Sequence, residues 1–158
     1  MASEVNFYAS KVEKKGDIVE ADSDVLIFSE LYYISANKAI YNETSKDVEL
    51  FGDINILRGK NERFNSCYAK VNLVSDEAEF KNFFFADNKI EVWFQSEQSD
   101  LNNTVFIGKN SIVSSCNVQN PDWQIRFSSG ELNRENNYLH LYNAKLYVKS
   151  VPVFYLPY

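Results

Sequence analysis

An all-β fold of about ten strands with almost no helix is what this sequence predicts. Three observations lead there. Apolar and polar residues alternate with a period of two wherever a regular pattern exists, the interruptions are short and rich in turn residues, and no stretch carries a helical apolar stripe over about 11 residues.

The alternation is clear in "VELFGDINI", which places Val48, Leu50, Gly52, Ile54 and Ile56 on one side and Glu49, Asp53 and Asn55 on the other. "KVNLV" gives Val71 and Leu73, "KIEVWF" gives Ile90, Val92 and Phe94, and "VFI" gives Val105 and Ile107. "WQIRF" sets Trp123, Ile125 and Phe127 against Gln124 and Arg126. "YLHLYNAKLYV" alternates twice, first at Leu139 and Leu141, then at Ala144, Leu146 and Val148; the change of phase predicts a bulge. Between the strands stand "KKGD" at 14–17, "NETSKD" at 42–47, "VSDE" at 74–77, "ADN" at 86–88 and "RENN" at 134–137, all with turn chemistry. "EQSDLNN", 97–103, reads as one longer break. "SANKAIYNETSKDVELFGDI" and "SSGELNRENNYLHLYNAKL", and less closely "SCYAKVNLVSDEAEFKNFFF", share a layout of small residues, polar turn and alternating strand. Stacked repeats and ordinary neighbouring hairpins both produce it.

With 158 residues the chain fits one domain that needs no metal or disulfide to hold a core. Its formal charge of -6 gives no reason to expect a nucleic acid partner. Twelve Phe and ten Tyr are more rings than one compact core needs. They fill a wide closed sandwich or line an open trough for an apolar guest. In the trough reading Phe80, Phe84, Phe94, Phe106 and Phe127 lack protein partners on one side, and a lipid chain supplies them at about 0.8 kcal/mol per CH₂.

No stretch reaches the length of a spanning helix, and "MASEVNFYAS" has no signal-peptide pattern, so the sequence reads as a cytoplasmic protein or as a mature exported segment with a new initiator. Cys67 and Cys116 form no CxxC pair, and with a single histidine no zinc site can be assembled. His140, between Leu139 and Leu141, is turned by alternation away from the apolar side. No nucleophile elbow names a triad serine, and "GDIN" and "IGKN" lack the helix that a phosphate loop requires. No cofactor is expected. "NET" at 42–44 and "NNT" at 102–104 match glycosylation acceptors but carry no functional weight.

The stretch "SSCNVQNPDWQIRFSSGELNRENNYLHLYNAKLYVKSVPVFYLPY", 114–158, resembles the end of the periplasmic domain in the LptD family of outer-membrane lipopolysaccharide-assembly proteins. The shared features are a Cys before a "DW" strand, an "NA-(K/R)" strand, and a "P-(V/I)-F-Y-x-P-Y" segment that leads into a transmembrane barrel. "YISANKAIYNETSKDVELFGDI" is similar to the repeat of the wider group that includes the periplasmic bridge protein LptA and inner-membrane LptC.

The resemblance implies an open, V-shaped β-jelly roll with two facing sheets, and no enzymatic activity. Residues 1–151 would be the periplasmic transport domain and 152–158 the start of the linker to the barrel, with Pro152, Phe154, Tyr155, Pro157 and Tyr158 marking the junction. It implies lipopolysaccharide as the partner, its lipid A acyl chains sliding along inward-facing Ile40, Val48, Leu50, Ile54, Val71, Phe80, Phe84, Val92, Phe94, Ile107, Ile125, Phe127, Leu139 and Leu141. An LptA-like bridge protein would meet the edge near Val5, Phe7, Ala9 and Val12 by β-augmentation. The chain's own C-terminal barrel and an LptE-like lipoprotein would complete the assembly at the periplasmic face of the outer membrane. Cys116 matches the family cysteine that bonds to a barrel cysteine. Cys67 departs from the pattern, leaving a barrel bond, a free thiol or a bond to Cys116 open. Two rivals remain: a bridge or inner-membrane member of the same transport group, and a carbohydrate-binding sandwich using Tyr32, Tyr33 and Tyr142 as stacking platforms.

Overall fold

The computed structural model describes residues 6–28, 32–75, 77–89, 91–102, 104–133, 135–136 and 138–157. They form strands β1 (Asn6–Tyr8), β2 (Lys11–Lys15), β3 (Ile18–Phe28), β4 (Tyr32–Asn42), β5 (Asp47–Arg58), β6 (Glu62–Asn72) and β7 (Ala78–Asp87). These are followed by β8 (Val92–Asn102), β9 (Val105–Ser114), β10 (Trp123–Asn133), β11 (Tyr138–Tyr142), β12 (Ala144–Val148) and β13 (Val151–Leu156). All belong to one antiparallel sheet in which β3 to β10 each pair with their sequence neighbours. β1 and β2 pair with the two halves of β3, and β12 and β11 pair with the two halves of β10, so each of these pairs acts as a single interrupted strand.

The long strands are broken near their middles. Register slips between Asp22 and Val25, between Ser35 and Lys38, and between Phe51 and Ile54, and the β6–β7 pairing passes from Asn65↔Phe84 to Tyr68↔Lys81. At these breaks every second strand carries a left-handed residue: Asp24, Asp53, Asn82, Asn110 and, between β11 and β12, Asn143. Asn and Asp tolerate that conformation because their short polar side chains bond locally. They recur about every 29 residues, which gives the internal echo in the sequence a physical frame.

Aligned breaks of this kind bend the sheet across its strands. Phe94 pairs with Val113 on one side of the break, whereas Phe106 pairs with Leu101 on the other, roughly 23 Å along a straight strand from Phe94. Their ring centroids are nevertheless 5.5 Å apart. Such a contact requires a crease that folds the two halves of the sheet toward one another. The all-β, open jelly-roll class expected from the sequence is present, and its two layers are the halves of one continuous sheet.

The core lies in the crease. On one side run Ala21, Ala39, Leu50, Ala69, Phe80, Ser99, Gly108 and Gly130, each paired with the next; on the other lie Val25, Ala36, Ile54, Ser66, Phe83, Ser96, Ser111 and Phe127. All but Phe80 are buried. Small residues let the halves approach, and rings fill the wider end: Phe83 lies 4.8 Å from Phe80 and 6.1 Å from Phe106, and Phe94 lies 6.2 Å from Phe127. Four of the rings expected to lack partners, Phe80, Phe94, Phe106 and Phe127, therefore pack on other phenylalanines. Two of the buried serines satisfy carbonyls that the break releases. Ser66 Oγ reaches the oxygens of Tyr68 and Lys81, both at 2.7 Å, and Ser96 Oγ repeats this with Gln98 at 2.6 Å and Lys109 at 2.9 Å.

The predicted bulge in "YLHLYNAKLYV" falls at Asn143, with φ 53°. "EQSDLNN" is corrected: residues 97–102 lie inside β8. The segment looked like a loop because Ser99, inward at the crease, is a small polar residue, which leaves Leu101 as the one inward aliphatic side chain of the stretch.

Candidate functional site

Beyond the crease, the inner face of one half is a single apolar row that crosses the sheet. Phe7, Ile27, Ile34, Ile56, Phe64, Phe85, Phe94, Val113, Ile125, Leu146 and Phe154 are successive cross-strand partners. It spans about ten interstrand spacings, roughly 48 Å. The facing half presents Val19, Tyr41, Val48, Val71, Ala78, Leu101, Phe106, Leu132 and Leu139 in the same manner. Among the described residues no charged side chain points inward between these rows and the crease, and at the β2 edge the facing row ends on Lys14, opposite Val19.

Exposure rises from crease to rim and from centre to edge. Val25 and Ile54 in the crease are 0% and 1% exposed, Ile34, Phe64, Phe94 and Ile125 are half-buried, and Phe7, Leu139 and Phe154 at the sheet edges reach 43%, 58% and 57%. A closed sandwich would bury its inner rows throughout. This gradient describes a trough whose floor is dry and whose apolar walls meet solvent.

The outer face has the opposite chemistry. Glu20, Ile40, Glu49, Lys70, Glu79, Asp100, Ile107, Glu131 and His140 form one outward row. In the next, Tyr68 donates to Glu49 at 3.1 Å, with Lys81 4.8 Å above its ring. Burial first, then the bond to Glu49 and the negative charges of Glu49 and Glu79, push the Tyr68 phenol up to about 12.

Of the predicted lining residues, Val48, Leu50, Ile54, Val71, Phe80, Val92, Phe94, Ile125, Phe127, Leu139 and Leu141 share the inner face. Ile40, Phe84 and Ile107 do not. In β4 the break between Ala36 and Ala39 shifts the inward phase to Ala39 and Tyr41, leaving Ile40 outside. In β7 the left-handed Asn82 moves the phase from Phe80 to Phe83 and Phe85, so Phe84 stacks on Trp93 on the outer face. For Ile107 a three-residue apolar run did not fix the phase, and Phe106 is the inward residue. The sequence reading missed Ile34, Phe64, Phe85 and Val113; alternation restarted after each break would have found them.

Cys67 and Cys116 are both unpaired. β7, β8 and β9 stand between the strand of Cys67 and the connection that carries Cys116. Among the described residues no cluster of three or more His, Cys, Asp or Glu could hold a metal, and no helix is long and apolar enough to cross a membrane. Tyr33 and Tyr142 are exposed on β4 and β11, seven strands apart in the sheet, so these two make no common stacking platform; the Tyr32 side chain lies outside the described residues.

No family model matches the chain. Curated relatives do: LPS-assembly protein LptD of Acinetobacter baylyi is 26% identical over 145 residues, covering 88% of this chain. LptD of Shewanella oneidensis is 22% identical over 145 residues, covering 90%. At family level the chain matches LptD.

The chain spans 17% of the Acinetobacter LptD and 18% of the Shewanella LptD. Among solved structures, LptH, the LptA-homologous periplasmic component of the lipopolysaccharide transport device of Pseudomonas aeruginosa, aligns with 92% of this chain and 95% of its own. That alignment has 6% identity and a TM-score of 0.34. The residues expected at the LptD barrel junction occupy β13 and its end: Pro152 opposes Tyr147, Phe154 extends the inner row opposite Leu146, and Tyr155 faces outward and donates to Asn143 Oδ1 at 2.9 Å. Pro157 contributes its carbonyl to Asn143 N at 3.2 Å, and Tyr158 lies outside the described residues. At the other edge Phe7 and Val12 are exposed, Ala9 packs against the crease core, and Val5 lies outside the described residues.

Proposed function

We propose that this chain serves lipopolysaccharide transport and outer-membrane biogenesis without catalysis, and that its trough carries the acyl chains of lipid A. The observation that carries the reading is the unbroken apolar row from Phe7 to Phe154, half-buried along its length and open at both ends. Acyl chains need continuous apolar contact and no hydrogen bonds, while the attached sugars need water; an open-rimmed trough supplies both. In this reading the chain works at the periplasmic face of the outer membrane. An LptA-like bridge protein docks by strand addition on β1 and β2, and the inner row continues over β13 toward a barrel supported by an LptE-like lipoprotein. In this reading Cys116, in the connection after β9 with its carbonyl held by Trp93 Nε1 at 2.7 Å, pairs with a cysteine of the barrel.

A second reading is favoured by a specific observation: among the described residues both ends of the sheet are unpaired strand edges with exposed apolar residues, Tyr8 and Val12 at one and Val151 and Leu156 at the other. A bridge component joined to like domains at both ends has this geometry. The same trough serves either role.

Photoreactive residues placed in cells at inward Ile34, Phe64 and Val113, and at outward Asn55, Gln95 and Ile112, test the shared claim. Lipopolysaccharide adducts are expected at the first set only. Equal labelling of both sets would overturn it. Capture of a downstream barrel or of a second bridge domain by residues on β13 separates the two roles.

A further inference from the structure

On the outer face, opposite the trough, a shallow concavity of about 430 Å³ lies where β9, β10, β12 and β13 meet. Arg126 and Lys145 face one another across β10 and β12 in direct register. Like charges set opposite in a sheet repel, and here no described carboxylate forms an ion pair with either. Each cation instead stands over a ring: the Arg126 guanidinium 4.8 Å from the Tyr147 centroid, the Lys145 ammonium 5.6 Å from that of Tyr155. A hydrogen-bond relay fixes the wall. Tyr155 donates to Asn143 at 2.9 Å, Asn143 donates to Ser128 at 2.9 Å, and Ser128 donates to the Tyr142 carbonyl at 3.1 Å.

A chain with a formal charge of -6 thus holds two uncompensated cations side by side in a concave, ring-lined surface rich in donors. We propose that this concavity binds a phosphate-bearing saccharide, with Arg126 and Lys145 on the phosphate and the Tyr147 and Tyr155 rings beside the sugar. An oxyanion between the two cations relieves their repulsion and accepts charge-assisted bonds from both, and the exposed Tyr155 ring with the half-buried Tyr147 ring offers the apolar platform that a pyranose face uses. Arg126, Lys145, Tyr147 and Tyr155 stand on the face opposite the trough, and only Ser111 and Phe127 at the floor of the concavity are shared with the crease.

Amide NMR titration of the 158-residue chain with glucosamine 1-phosphate tests it. Saturable shifts at Ser128, Asn143 and Tyr155 are expected, weakened at least tenfold by Arg126→Gln and by Lys145→Gln, with no shifts from glucosamine alone. Both substituted side chains are exposed, so the fold is retained, and acyl-chain binding in the trough serves as the control that does not change. Absence of saturation up to about 10 mM, or equal affinity in the two variants, would overturn the site. Equal affinity for inorganic phosphate would overturn the saccharide assignment.

Discussion

Ser96 and Ser99 stand three apart on β8, both in the crease, and are 1% and 0% exposed. Ser96 bonds two carbonyls and accepts from Lys109 N at 3.2 Å, whereas Ser99 Oγ has no partner. The same substitution should therefore act differently at the two sites. Ser96→Ala is expected to cost about 1–2 kcal/mol in urea unfolding, and Ser99→Ala to be neutral or stabilising by about 1 kcal/mol, because one removes a satisfied hydroxyl and the other an orphan. Comparable losses at both would show that the hydroxyls are not what distinguishes them. Tyr68 gives a pH signature. Its folded-state pKa, about 12, lies above the ordinary phenol value of 10.0, so the unfolded chain loses this proton first as pH rises. The stabilising contribution is complete below pH 10 and is lost as pH climbs toward 12; Tyr68→Phe should flatten that part of the stability profile. A wild-type curve unchanged by the substitution would contradict the assignment.

At the scale of the element, the mid-strand break decides which residues face the lipid. Gly52 adopts φ +66°, and a Cβ there would stand 2.6 Å from the Asn37 side chain. Gly52→Ala should cost about 1–3 kcal/mol, and Asn82→Val, at φ 50°, a similar amount, while Asn82→Gly should be tolerated. Thermal unfolding of the three variants checks this; indifference to the β-branched residue would mean that the break is not held by left-handed backbone. The breaks also explain what the sequence did and did not disclose. Strands and turns were legible because alternation and turn chemistry are local. The phase after a break was not, because an insertion changes the parity of everything beyond it. In β5 the break separates Leu50 from Ile54 by an even step, so strict alternation gave the right side for both. In β4 and β7 the step is odd, and Ile40 and Phe84 were assigned to the wrong face. The echo among the repeats was visible, but only the left-handed Asp and Asn positions show where each unit bends.

For the whole molecule, one creased sheet whose two edges are unpaired among the described residues yields both a trough and a means of extending it. The edges lead to an expectation about assembly. Val151, Val153, Phe154 and Leu156 are 62%, 54%, 57% and 48% exposed on β13, and an apolar edge of this kind pairs with another strand. The isolated chain should self-associate with concentration in analytical ultracentrifugation, and Val153→Lys should shift it toward monomer; a monomer at every concentration would remove strand addition at this edge.

The trough itself is tested most directly with a nitroxide-labelled fatty acid and methyl NMR. Paramagnetic broadening of the Ile27, Ile34, Ile56, Val113, Ile125 and Leu146 methyls is expected, with Ile40, Ile107 and Ile112 on the opposite face unaffected. Broadening that ignores the two faces, or that is confined to the outer one, would contradict it.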